Sequence, residues 1–298
     1  MGSLYLVLIA HYSQYYVSQT NGGIVWWLLT KTGRYGVSLF FAISGYGLVL
    51  SAERKLDSTF LKRRLANVYL PYMLISGGIG AVQGSLKTSQ AVIKLLLCLN
   101  AWFIFVIMLF YLLFYCVWKY GRKNIGMLIL GVFIISVLLA MFFRDEVWYA
   151  SNISFIIGVI VGRYRSEIFN YCFEHRWIIA FNSVGFAISA IIYTGCSNLN
   201  MAFFLLFKVL ASALWSTLVL LVMALIKIPD SRILKQIGMC SLECYLTHTF
   251  VLDIVSKTIK NNYLFIIIFC MLLTVSFSLI LNFLWGKIKI FVFKNNGI

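Results

Sequence analysis

Leu4-Tyr-Leu-Val-Leu-Ile-Ala-His11-Tyr-Ser-Gln-Tyr-Tyr-Val17 carries no formal charge and one imidazole. An apolar run of this kind is buried either in a protein core or in lipid, and the rest of the chain decides which. Of 298 residues, 62% are hydrophobic, 11% are charged and only two are proline. Soluble domains hold about 45–50% apolar and about 25% charged residues, so these proportions specify an integral membrane protein. A histidine at membrane depth is costly to hold there and marks a functional position by default. Its ordinary titration range also suits proton transfer near neutrality.

Working outward from this run, ten stretches have the length and apolarity expected of spanning helices, which need about 17–25 residues. They lie at about 4–17, 35–52, 68–84, 101–118, 124–143, 147–162, 177–194, 201–226, 237–256 and 263–286. The expected fold is therefore all-α: a polytopic bundle of about ten transmembrane helices. Short linkers and the lack of a visible repeat make residues 1–298 one membrane domain. Ala91–Leu99 is too short to span and is expected to be re-entrant or interfacial.

The net charge of +16 comes from basic residues spread among short linkers. This distribution suits lipid headgroups and topology control rather than nucleic acid. Seventeen Lys and Arg lie in the tail and the linkers after even-numbered spans, seven in the other linkers, and Lys208 inside the eighth span. By the positive-inside rule both termini are expected in the cytoplasm of a multi-pass cell-membrane protein. The first residues carry no Lys or Arg and no cleavage site follows, so no secretory signal is expected. Leu6 stands where a myristoylation motif needs Ser or Thr. Cys98, Cys116, Cys172, Cys196, Cys240, Cys244 and Cys270 contain no CxxC. They read as packing residues, with no metal site expected.

Besides His11, the spans contain Lys208, Glu243, His248 and Asp253. Lys208 either snorkels or joins a buried charge pair. Asp253 falls near a span end, at the interface. Glu243 and His248 are five apart, about 140° on a helical wheel, so they need not share a partner. His248 either lines a site or bonds to a neighbouring helix. His11 and Tyr15 share a helix face. Gly36-Val-Ser-Leu-Phe-Phe-Ala-Ile-Ser-Gly45-Tyr-Gly47 has small residues that admit close approach by a helix or a ligand, and Gly158 and Gly162 form a GxxxG pair. Lys62, Arg63 and Arg64 could bind phosphates or simply stop translocation.

Taken together, these segments resemble the acyltransferase-3 family of integral membrane acyltransferases. The resemblance rests on Ile9-Ala-His11-Tyr12 and on Phe40-Phe-Ala-Ile-Ser-Gly45-Tyr46. It extends to the basic stretch ending Pro71-Tyr72, to Trp102-Phe103, and to Ser241-Leu-Glu-Cys-Tyr-Leu-Thr-His248. It implies transfer of an acyl group, commonly acetyl, from cytoplasmic acyl-CoA to a hydroxyl of a surface polysaccharide or lipid-linked sugar. The acyl-CoA is a co-substrate, and no resident cofactor is implied. On this reading His11 is the general base, or forms an acyl-histidine intermediate. Arg63, Arg64, Ser44 and Gly45 then meet acyl-CoA, while Arg34, Tyr46, Trp102, Glu243 and His248 line the acceptor site. Two positions depart from the family pattern. Met1 stands where an arginine is common ten residues before the histidine, and Asn67 stands three after Arg64 where a second arginine is frequent. Either the start site is late or part of the acyl-CoA or substrate site is altered. A different function class keeps the same residues: a glycan or lipid flippase using His11, Glu243 and His248 as a proton relay.

Overall fold

The computed structural model describes residues 2–20, 22–57, 59–195, 200–226, 231–259 and 263–294. Met1, Cys196, Lys227 and Lys260 lie outside them. Every regular element among the described residues is helical. The first half of the chain forms α1 (Gly2–Gln19), α2 (Ile24–Thr30), α3 (Gly33–Arg54), α4 (Thr59–Arg64), α5 (Leu70–Val82), α6 (Ser89–Leu96), α7 (Trp102–Lys119) and α8 (Ile125–Phe142). The second half forms α9 (Ile153–Arg163), α10 (Arg165–Glu174), α11 (Trp177–Gly195), α12 (Met201–Leu225), α13 (Arg232–Met239), α14 (Ser241–Thr258) and α15 (Tyr263–Lys294).

Among the described residues, seven stretches are long and apolar enough to cross a membrane. They are Ile24–Arg54, Thr59–Val82, Trp102–Lys119, Ile125–Phe142, Trp177–Gly195, Met201–Leu225 and Tyr263–Ile288. The polytopic helical bundle thus holds, but the expected ten crossings do not all meet this standard. The three that fall short differ in kind. At about 1.5 Å per residue, the 11 residues of α9 fall well short of a bilayer of about 30 Å. The preceding residues 147–152 form a 3₁₀ turn at Glu146–Trp148 and irregular backbone instead of extending the helix. Helices α1 and α14 have 18 residues each. Their apolarity is diluted by Ser3, His11, Ser13 and Gln14 in one, and by Glu243, Thr247, His248 and Asp253 in the other. The two helices that carry the histidines are thus among the least apolar of the expected spans.

The chain divides into two compact units. The first comprises Met1–Gly36, Leu61–Phe105 and Asp230–Ile298, and the second Val37–Phe60 and Val106–Pro229. In the first, α14 packs along α15, α1 and α5. Its helices are tied by side-chain hydrogen bonds, as helices in lipid must be when they carry polar groups. Tyr12 Oη on α1 meets Thr274 Oγ1 on α15 at 2.8 Å. Thr247 Oγ1 on α14 meets Ser278 Oγ on α15 at 3.2 Å. Thr32 Oγ1 donates to the Leu6 carbonyl at 3.0 Å, holding the entry to α3 against α1. A π-helical turn at Leu65–Tyr69 separates α4 from α5. Pro71 accounts for it: a proline ring crowds the carbonyl four residues earlier, here Asn67, and a widened turn relieves the clash. The expected short segment near residue 91 is α6. Thr88 caps its start by accepting from the Ala91 amide at 3.2 Å. Tyr72 and Tyr69 donate to the Leu95 and Leu96 carbonyls at its end, at 3.1 and 2.9 Å. The Leu96 carbonyl lies among the unpaired acceptors of a helix terminus, while that of Leu95 also accepts from the Cys98 amide at 3.0 Å.

In the second unit, α11 packs along α12 and α12 along α9. The small residues of α3, which the sequence marks for close approach by a helix or a ligand, pack against α9, and the α9 glycines pack against α3. A methyl on Gly158 would collide with the backbone of Ala42. One on Gly45 would collide with the Phe155 carbonyl, and one on Gly162 would press on Tyr46. Lys208, 5% exposed on α12, pairs with Glu146 at the 3₁₀ turn. It is therefore a buried charge pair rather than a snorkelling side chain, and its partner sits 62 residues earlier in the chain. Asp253 is partly exposed and paired with Lys257 at 2.8 Å, as expected for an interfacial residue. Cys98, Cys116, Cys172, Cys240, Cys244 and Cys270 are all free. Burial pushes the Cys98 thiol up to about 11, which keeps it protonated and unreactive.

Two outcomes test this packing. Gly158→Leu should cost about 1–3 kcal/mol or more by overpacking, lowering the thermal midpoint of detergent-purified protein. Gly47→Ala has nothing within 4 Å of the new methyl and should leave the midpoint unchanged. Lys208→Met should strand Glu146 and cost about 3–5 kcal/mol. Adding Glu146→Gln should recover most of that loss, read as the amount of folded protein in membranes.

Candidate active site

The site grows from three segments of the first unit. Helix α1 supplies His11, α14 supplies His248, and the two imidazole centroids lie 4.8 Å apart with planes tilted by 50°. Each histidine depends on anchors on its own helix. The Tyr12–Thr274 bond fixes α1 one residue beyond His11, and the Thr247–Ser278 bond fixes α14 one residue before His248. The third segment is the end of α5 and the chain that follows it to Trp102. It closes a cavity of about 490 Å³ around the histidines. Ser76, Gln83, Ser85, Asn100, Trp102 and Thr249 contribute hydrogen-bonding groups to its wall, and Ile79, Leu86, Leu95, Leu246 and Phe250 contribute the apolar part. Tyr245 completes the lining, with its ring held edge-on against Phe103 at 5.3 Å.

The electrostatics of this wall are specific. None of the described lining residues is Asp, Glu, Lys or Arg, so the cavity presents neutral donors and acceptors, two imidazoles and an indole. Such a surface suits a neutral, hydroxyl-bearing molecule and offers nothing to neutralise a phosphate.

His248 is 4% exposed. Its Nδ1 lies 2.7 Å from the Tyr245 carbonyl oxygen. A carbonyl oxygen only accepts, so Nδ1 carries the hydrogen, and in the neutral ring Nε2 is the lone-pair nitrogen. That Nε2 is buried and finds no hydrogen-bond partner among the described residues. A buried acceptor left unpaired costs free energy and calls for an explanation.

The other residues expected at the site are distributed differently. Trp102 lines the cavity. Glu243 is buried on α14 but does not line it. Its Oε1 accepts from Asn282 Nδ2 on α15 at 2.9 Å, and Asn282 also donates to the Met239 carbonyl at 3.2 Å. Glu243 and His248 thus take different partners, in line with their angular separation. Arg34 is half-buried at the start of α3 and does not line the cavity. Arg63 and Arg64 are half-buried at the end of α4, just before the π-helical turn. Ser44, Gly45 and Tyr46 belong to the second unit, where Gly45 packs on α9 and Tyr46 packs on the Ala42, Val161 and Leu220 cluster.

Gln83, Asn100 and Tyr245 were not singled out from the sequence. Gln83 and Asn100 sit where span meets linker, and a polar residue there looks like any other interfacial one. Tyr245 was quoted within the late motif, but its task lies in its backbone carbonyl, which no side-chain pattern reports.

The family comparison covers nearly the whole chain. Residues 3–283 match the family described as an acyltransferase domain, so the match runs from the start of α1 well into α15 and takes in both histidine-bearing helices. No curated protein and no solved structure matches the chain. A helical membrane protein with two facing imidazoles in a neutral cavity, matched over nearly its whole length, belongs to the acyltransferase-3 family and is a membrane acyltransferase.

Proposed function

We propose that the chain transfers an acyl group, most simply acetyl, from cytoplasmic acyl-CoA to a hydroxyl of a surface polysaccharide or lipid-linked sugar. The observation that carries this reading is the pairing of His11 and His248 on the wall of a cavity without fixed charge. A sugar offers many hydroxyls and no charge, which matches Gln83, Asn100, Ser76 and the face of Trp102.

In the reaction, His11 takes the proton of the acceptor hydroxyl as its oxygen attacks the thioester carbonyl. The new C–O bond forms and the C–S bond breaks. The proton held by His11 then passes to the departing CoA thiolate, leaving the histidine neutral for the next turnover. The phosphates of CoA are assigned to Arg63 and Arg64, whose forked donors suit them. Arg34 keeps its family-implied place toward the acceptor. A cytoplasmic donor side and cytoplasmic termini rest on the asymmetry of Lys and Arg between linkers. The competing proton-relay transporter needs Glu243 in line with the histidines, and its hydrogen bond runs to Asn282 instead.

Mass spectrometry of surface glycans from cells with and without the gene tests the reading. Loss of an ester-linked acyl group on deletion is the expected result, and His11→Ala should reproduce it with a drop of about 10²-fold or more. Unchanged acylation with altered glycan export would favour the transporter. Wild-type acylation by an inserted His11→Ala protein would remove His11 from the chemistry.

A further inference from the structure

The unpaired Nε2 of His248 has a use once the reaction begins. His11 enters the reaction neutral, and among the described residues its imidazole makes no hydrogen bond. When it takes the hydroxyl proton it becomes an imidazolium with N–H donors on both nitrogens. A cation formed beside an apolar wall is expensive unless an acceptor is already in place. His248 is that acceptor: its Nδ1–H is committed to the Tyr245 carbonyl at 2.7 Å, which leaves the Nε2 lone pair open. An N–H···N bond of about 2.9 Å between two imidazoles spaces their centroids by about 5 Å. The two ring centroids already stand 4.8 Å apart, close to the spacing such a contact needs.

We propose that His248 is the positioning residue of His11, its Nε2 accepting an N–H from His11 as that ring takes up the substrate proton. The backbone carbonyl of Tyr245 sets the tautomer that makes this possible. The arrangement is a relay of orientation rather than of protons: carbonyl to His248, His248 to His11, His11 to the hydroxyl. It plays the part that a carboxylate plays beside the base in hydrolytic triads, with no fixed charge placed in the membrane. Neutral His248 also leaves the resting cavity uncharged, which keeps it suited to a sugar. The inference rests on the reading of His11 as base.

Two amides separate the nitrogens of His248. Asn at this position keeps a donor near Nδ1 but reaches no further, whereas Gln extends an acceptor oxygen to the neighbourhood of Nε2. Membrane vesicles bearing the full chain and its endogenous glycan acceptors are supplied with radiolabelled acetyl-CoA, and base-released acetate is counted in the glycan fraction. Each variant is normalised to the protein inserted. His248→Asn should lower the maximal rate about 10²-fold with the KM for acetyl-CoA within about twofold of wild type. His248→Gln should recover at least about tenfold of that loss. Equal rates for the two variants, whether high or low, would overturn the role of Nε2 while a dead His11→Ala preserves the base. Wild-type transfer by His11→Ala would overturn the base itself, and the positioning role with it.

Discussion

A hydrogen-bonding group placed in a hydrocarbon medium must find a partner inside the protein, and this constraint organises the structure. The first unit answers it with side-chain bonds between helices: Tyr12 to Thr274, Thr247 to Ser278 and Asn282 to Glu243. The second answers it with the Lys208–Glu146 pair and with Asn182 donating to the Leu214 carbonyl at 2.9 Å. These bonds fix helices to one another where apolar contact with lipid would not discriminate. The same rule gives meaning to an acceptor that lacks a partner. That acceptor, His248 Nε2, belongs to a ring that lies 4.8 Å from the His11 ring on the wall of the cavity.

The cavity and the basic segment divide the recognition problem by charge. Neutral amides, hydroxyls and an indole surround the histidines, while Arg63 and Arg64 stand at the end of α4. A donor with a charged handle and a neutral reacting end is the kind of molecule such a division serves. In the proposed reaction, binding the handle away from the reacting end would let the thioester enter a cavity that offers nothing to the phosphates. The π-helical turn forced by Pro71 falls between the two regions in sequence, joining α4 to the helix that supplies Ser76 and Ile79.

How much of this was legible in the sequence follows from which interactions are local. Membrane character and the helical class came from composition, and the importance of His11 came from one imidazole in an apolar run. The glycine positions were also readable as close contacts, although only the structure distinguishes a helix from a ligand as the neighbour of Gly45. What stayed hidden was pairing across long separations. The partner of Lys208 is Glu146, a linker acid just before the expected sixth span and 62 residues away in sequence. The partner of Glu243 is Asn282, which looks incidental within a long apolar helix. The proximity of His11 to His248 joins residues 237 positions apart. The spans that failed the length or apolarity standard failed for physical reasons too: hydropathy cannot tell a short buried helix such as α9 from a crossing, and it penalises helices that carry a site.

Acyl transfer is proposed to take place in the cavity shared by His11 and His248. Its most direct test is a cryo-EM structure of the full chain in lipid nanodiscs with a non-hydrolysable thioether analogue of acetyl-CoA. The acyl carbonyl is expected within about 3–4 Å of the His11 ring, beside Trp102, with the CoA phosphates against Arg63 and Arg64. An analogue whose acyl group lies outside this cavity, with both histidines untouched, would contradict it.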